Sequence, residues 1–165
     1  MKPKYKILIS LAAVLLWMGI IFWFSSQNGE QSGAMSRTIT DWVLSLFGSA
    51  PDSPFADILH LCVRKGGHFT EYLILSVLLM NLFRRMGRPM LSCLILAVLI
   101  SFLYAGSDEL HQYFIGGRHM SAVDVGIDTC GAALGSVLYC LISRIGGKII
   151  WIRSINVSPE DATKS

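Results

Sequence analysis

A chain of 165 residues that is 53% hydrophobic and only 15% charged, with a mean hydropathy of +0.54, is too apolar for an ordinary soluble domain. Its net charge of +3 comes from cations scattered along the sequence, which excludes a basic nucleic-acid surface. The four cysteines, Cys62, Cys93, Cys130 and Cys140, lack metal-ligand spacing, so free thiols are expected rather than a disulfide framework or a metal site, and nothing points to a particular cofactor.

The hydrophobic residues come in long blocks. The first, "ILISLAAVLLWMGIIFWF" at 7–24, carries no charge between Lys6 and Glu30 and meets the requirement of about 20 apolar residues for a bilayer crossing. Lys2, Lys4 and Lys6 suit a secretory leader, but the apolar run exceeds the usual core of about 7–15 residues and no small-x-small cleavage site follows, so an uncleaved anchor is expected. An outer segment, 30–65, comes next. In "AMSRTITDWVLSLF" the residues Met35, Ile39, Trp42, Val43, Leu46 and Phe47 follow helical spacing and leave Arg37, Thr40 and Asp41 elsewhere, which predicts a helix lying on the membrane surface. "SAPDSPF" breaks it, and Phe55, Ile58, Leu59, Cys62 and Val63 trace a second stripe. The segment reads as a layer over the outer ends of a bundle.

Three further spans are expected, at about 68–84, 89–107 and 122–143. The third span has no charge between Arg88 and Asp108, but the second and fourth are uncharged only over 72–83 and 129–143. To cross, those two must carry a preceding polar turn inward, placing His68, Glu71, Asp124 and Asp128 just below the surface. The Gly66-Gly67 and Gly116-Gly117 pairs suggest that hairpins open these segments. With both termini cytoplasmic, ten of the 14 Lys and Arg residues lie inside and Arg37, Arg64, Lys65 and Arg118 outside. The expected fold is thus all-α: a polytopic membrane protein of four transmembrane helices with an outer loop carrying amphipathic helices. Residues 1–150 form one transmembrane domain and 151–165 a polar cytoplasmic tail.

The ionisable residues gather on the extracytoplasmic face. His68, Glu71 and Tyr72 are spaced to project from one side of a helix, and ionisable groups within a span usually face a polar interior. In "SDELHQYFIGGRHMSAVD", residues 107–124, helical spacing puts Asp108, His111 and Gln112 together, with Asp108 read as a solvated helix end. Arg118, beside flexible glycines, can fold back over the bundle, where its fork of donors suits Glu109 or a phosphate. Asp124 and Asp128 are one turn apart, so either one of them has a raised pKa or Arg118, Lys65 or His68 pairs with them. Gly131 and Gly135 form a small-xxx-small face read as helix packing.

The signatures K-x-x-H-F-x-x-Y at 65–72 and E-x-x-Q-x-F-x-x-G-R at 109–118, followed by Asp124 and G-x-x-x-G, resemble the VanZ-like family of bacterial membrane proteins, as does "FWFSSQNGEQSGAMS" after the first span. The resemblance covers roughly 15–140 and carries over Gln27, Lys65, His68, Tyr72, Glu109, Gln112, Arg118 and Asp124 as site residues. Gly116 stands where a proline is common, and Asp128 where an asparagine is usual. The resemblance implies an accessory role in the bacterial cell envelope, the family's namesake lowering susceptibility to the glycopeptide teicoplanin. Three mechanisms are compatible with the residues. One is binding of an anionic envelope molecule, a lipid or cell-wall precursor, by Arg118 and Lys65, with Glu109, Asp124, Asp128 and His68 around them. The second is a membrane-embedded enzyme, for which His68, Glu109, His111 and Asp124 are the candidate catalytic groups. The third is a small ion-coupled carrier built on Asp124 and Asp128.

Overall fold

A computed structural model describes the backbone of residues 3–46, 54–115 and 120–155, and side chains over 4–46, 54–115 and 120–145. These residues form α1 (Pro3–Ser25), α2 (Gly29–Leu46), α3 (Pro54–Arg85), α4 (Met90–Tyr113) and α5 (Ala122–Ile155). Arg118, with the glycine pair before it, lies outside the described residues, as do Phe47, the break preceding Pro54 and the tail from 156 onward.

Three of the helices are long and apolar enough to cross a membrane, over Lys4–Ser25, Met90–Tyr113 and Ala122–Ile145. Local chemistry sets several boundaries. Asn28 and Gln31 cap α2 reciprocally: the Gln31 N–H donates to Asn28 Oδ1 at 2.8 Å and the Asn28 N–H to Gln31 Oε1 at 3.4 Å. Pro54 opens α3, where a missing N–H costs nothing, and Asp57 complements the helix dipole. The helix ends at Gly87, whose φ of 82° permits the Arg88 N–H to reach the Phe83 carbonyl and the Gly87 N–H the Arg84 carbonyl, both at 3.1 Å. That short turn sends α4 back antiparallel to α3.

α3 is the central helix, packed against each of the other four. It runs without interruption through Gly66 and Gly67, so the hairpin expected at 64–72 is corrected: helical hydrogen bonding absorbs both glycines, and the outer amphipathic stretch and the following apolar stretch are one helix of 32 residues. The interior is built from small residues. On α4, Cys93, Ala97, Ser101 and Ala105 recur every fourth position at 0% exposure, letting neighbouring backbones approach. Large apolar residues such as Leu16, Leu91 and Ile142 face outward, the inverse of a water-soluble bundle. All four cysteines are free, but only Cys93 is buried; Cys62 and Cys130 are exposed.

α1 is pinned to the bundle by side chains that reach backbone oxygens. The Trp17 indole donates to the Glu71 carbonyl at 2.9 Å, and the Tyr104 hydroxyl donates to the Met18 carbonyl at 2.7 Å. These carbonyls already serve their own helices and accept a second bond through the remaining lone pair.

Candidate polar site at the outer ends of the helices

The seam between α3 and α5 positions the first charged groups. A Cβ on Gly131 would fall on the Phe69 carbonyl, and one on Gly135 on the Leu73 carbonyl and Ser76 Oγ, so only glycine allows this approach. Two turns outward, the close seam brings Lys65 and Asp124 together as an ion pair and His68 Nδ1 within 3.8 Å of Asp128 Oδ1. Lys65 and His68 are two of the three cations that the sequence offers as partners of the aspartates, and the third, Arg118, lies outside the described residues. Asp128 is 0% exposed, and neither of its carboxylate oxygens has a hydrogen-bond partner among the described residues.

The start of α5 explains how Asp124 becomes available to Lys65. A carboxylate three residues into a helix commonly reaches back to the N–H of the capping residue. Ser121 does cap α5, its Oγ accepting from the Asp124 N–H at 3.2 Å. The Ser121 N–H instead donates to Glu109 Oε2 of α4 at 2.7 Å, which leaves the Asp124 carboxylate to Lys65. Glu109 thereby fastens the outer end of α4 to the head of α5.

On α4 the expectation for Asp108 is corrected. It is 5% exposed rather than solvated, and accepts a 2.8 Å hydrogen bond from Gln112 Nε2. Helical spacing extends the small-residue stripe of α4 into Asp108 and Gln112, so the face that packs against α3 and α5 carries the carboxylate inward with it. His111 points elsewhere: it stacks on Phe22 of α1 with centroids 4.7 Å apart, and its Nε2 is 3.3 Å from Ser26 Oγ.

A cavity of about 220 Å³ lies between α1, α2, α3 and α4. Its walls follow helical faces: Ile21, Phe24 and Ser25 of α1, then Gln27; Ser32, Met35, Ser36 and Ile39 of α2; Arg64, Gly67, His68 and Glu71 of α3; and Asp108 of α4. Of the expected site residues, Gln27 and His68 line it. Lys65, Tyr72, Glu109, Gln112, Asp124 and Asp128 do not border it, and His68 joins the two groups, facing the cavity on one side and Asp128 on the other. Tyr72 is 0% exposed, with no hydrogen-bond partner for its hydroxyl among the described residues. His111 does not line the cavity.

Arg64 and Ser36 were absent from the expected set. Arg64, Gly67, His68 and Glu71 have i, i+3, i+4, i+7 spacing, a signal visible only once the glycine pair is read as helix. Among the described residues, no group of three His, Cys, Asp or Glu is placed to hold a metal ion.

The VanZ/LLP1 family model matches residues 10–143, from the first helix through most of α5. The chain belongs to the VanZ/LLP1 family. No curated protein and no solved structure matches it. The matched stretch of this VanZ-like chain contains the whole cavity and both charged pairs of the α3–α5 seam.

Proposed function

We propose that this VanZ-like chain is a bacterial cell-envelope accessory protein that binds an anionic envelope molecule in the extracytoplasmic cavity. The observation that carries the reading is the cavity itself, which places Arg64 and His68 beside Glu71 and Asp108 among apolar side chains. Arg64 supplies a fork of donors for a phosphate, His68 a further donor, and the carboxylates accept from hydroxyls of the same headgroup. Lys65 is engaged with Asp124 and serves to hold the seam, while Arg118 is retained from the sequence motif as a further anion contact.

This reading takes α3 as a fourth crossing and both termini as cytoplasmic. In support, its inner half is uncharged over 72–83, ends at Arg84 and Arg85, and packs against α5 through the Gly131–Gly135 face. At 32 residues α3 is about 48 Å long, enough to cross about 30 Å of hydrocarbon and extend beyond it. Lower glycopeptide susceptibility is then the cellular outcome expected of an occupied site. The test is teicoplanin and vancomycin susceptibility in a sensitive Gram-positive host at matched membrane levels. Wild type should raise teicoplanin tolerance, and Arg64→Gln and Arg118→Ala should not; equal tolerance in wild type and both variants removes the role assigned to the cavity.

A second reading has its own observation. His68 borders the cavity while Asp128 lies 3.8 Å from its Nδ1, beyond hydrogen-bond reach, so that a closure of less than about 1 Å on substrate binding would make it the carboxylate that orients a general base. A membrane-embedded enzyme acting on a lipid-linked substrate would then alter the lipid or glycan profile of expressing cells, and His68→Ala would abolish the change. Unchanged profiles in wild type leave binding as the function.

A further inference from the structure

The two ends of the cavity differ in chemistry. Its floor carries His68, Glu71 and Asp108, whereas Met35 and Ile39 of α2 form an apolar rim. Met35 and Ile39 line the cavity and are also 40% and 47% exposed on the outer surface. Gly67 of α3 likewise lines the cavity and is exposed, so the cavity opens between α2 and α3, with Met35 and Ile39 forming the apolar side of the mouth.

The surroundings of that mouth are built for hydrocarbon. Outward, α2 continues the exposed apolar surface with Trp42 and Leu46. Inward, it buries Ser36 and Thr40, whose hydroxyls donate to carbonyls one turn back at 3.1 and 2.9 Å and so need no water. The same helix buries Leu44 and exposes Arg37 and Asp41 on a flank away from the stripe of Met35, Ile39, Trp42 and Leu46, so it suits an interfacial position in which that stripe lies against hydrocarbon. The exposed apolar faces of α1 and α4 are of the same kind. The cavity volume of about 220 Å³ sets the remaining limit. It equals on the order of seven water volumes, room for a phosphate with a few polyol atoms but not for a long hydrocarbon chain.

We propose, resting on the binding role argued above, that the ligand is a membrane amphiphile loaded laterally from the outer leaflet. Its phosphate meets Arg64 and His68, the hydroxyls of its headgroup reach Glu71 and Asp108 on the floor, and its hydrocarbon chain leaves over Met35 and Ile39 and remains in the bilayer along α2. Recognition therefore requires head and chain together, and a soluble headgroup alone binds weakly.

The test uses the full chain in phosphatidylcholine nanodiscs, with phosphatidylglycerol carrying a photoreactive group on its acyl chain and glycerol phosphate as the chainless probe. The expected results are cross-linking to the stretch around Met35 and Ile39, competition by unlabelled phosphatidylglycerol, and binding of glycerol phosphate at least tenfold weaker than that of the lipid. Ile39→Trp, which narrows the mouth, should lower lipid retention and cross-linking at least tenfold. Ile39→Leu should retain wild-type lipid binding, and matched thermal unfolding of both variants excludes misfolding as the cause. If glycerol phosphate binds as tightly as the lipid, or if cross-links fall away from α2 while Arg64→Gln still abolishes binding, lateral loading is overturned and the headgroup site stands. If wild type binds neither probe nor any phospholipid above the phosphatidylcholine background, the binding role fails and the lateral route with it.

Discussion

Replacing Gly131 with alanine tests whether the α3–α5 seam sets the geometry of the polar site. The added Cβ would fall on the Phe69 carbonyl oxygen, a backbone atom held by its helix and unable to swing aside as a side chain would. Restoring a normal contact requires the two helices to separate by on the order of 1 Å. Overpacking of this kind costs about 1–3 kcal/mol, and alanine's better helix propensity returns about 1 kcal/mol at most. Thermal unfolding in detergent should therefore fall by several degrees, at about 2–4 °C per kcal/mol for a chain of this size. Gly106→Ala and Gly126→Ala are the controls, since a Cβ at either position meets nothing within 4 Å; both should match wild type or exceed it. The displacement also loosens Lys65 from Asp124 two turns away, so ligand retention should fall in Gly131→Ala at temperatures where the protein is still folded. A Gly131→Ala protein as stable as Gly106→Ala would refute the close approach of α3 and α5 and, with it, the account of how the charged pairs are placed.

Other consequences are equally direct. A double-mutant cycle on Lys65→Ala and Asp124→Ala should give a coupling energy of on the order of 1–2 kcal/mol, since the two side chains are 31% and 19% exposed; zero coupling in the unfolding free energies would make the pair ornamental. Tyr104→Phe removes a single hydrogen bond that pins α1 and should lower stability by about 0.5–1.5 kcal/mol. Trp17→Phe should cost more because it also removes part of a packed indole, and the loss in the double variant should depart from the sum because both bonds hold the same turn of α1. In intact cells a membrane-impermeant maleimide should label Cys62 from outside and leave Cys93 unmodified. Met86→Cys, at the far end of α3, should react only after the membrane is opened; labelling of Cys62 and of the new thiol from the same side would show that α3 does not cross.

The helical class and the gathering of ionisable residues at one end of the bundle were legible in the sequence because membrane burial leaves a coarse signature, long apolar blocks interrupted at their ends. The finer pattern was harder to read for a physical reason. In lipid the large apolar side chains face outward and the seams are filled by small or hydrogen-bonded residues, so hydropathy marks the wrong face. Cys93, Ala97, Ser101 and Ala105 form an uninterrupted buried stripe on α4, yet nothing in their hydropathy separates them from the leucines between them. Asp108 was misplaced for the same reason. A carboxylate just past an apolar run reads as the wet end of a helix, unless one notices that it continues that stripe and is matched by Gln112 one turn later.

The glycine pair at 66 and 67 misled in a different way. Two adjacent glycines are a strong turn signal in a chain whose folding is limited by backbone entropy in water. Gly66 and Gly67 are exposed here with nothing within 4 Å of where a Cβ would stand, and helix on either side of them carries the 32-residue α3 through at the modest cost of glycine's poor propensity. The consequence reaches the site itself. A turn there would have left Arg64 and Lys65 on an outer loop, free to point anywhere. In the continuous helix their directions are fixed and divergent, with Arg64 on the face that borders the cavity and Lys65 on the face that meets Asp124. His68, one turn inward, lies between these two faces and is the residue through which a ligand in the cavity and the buried Asp128 can sense one another.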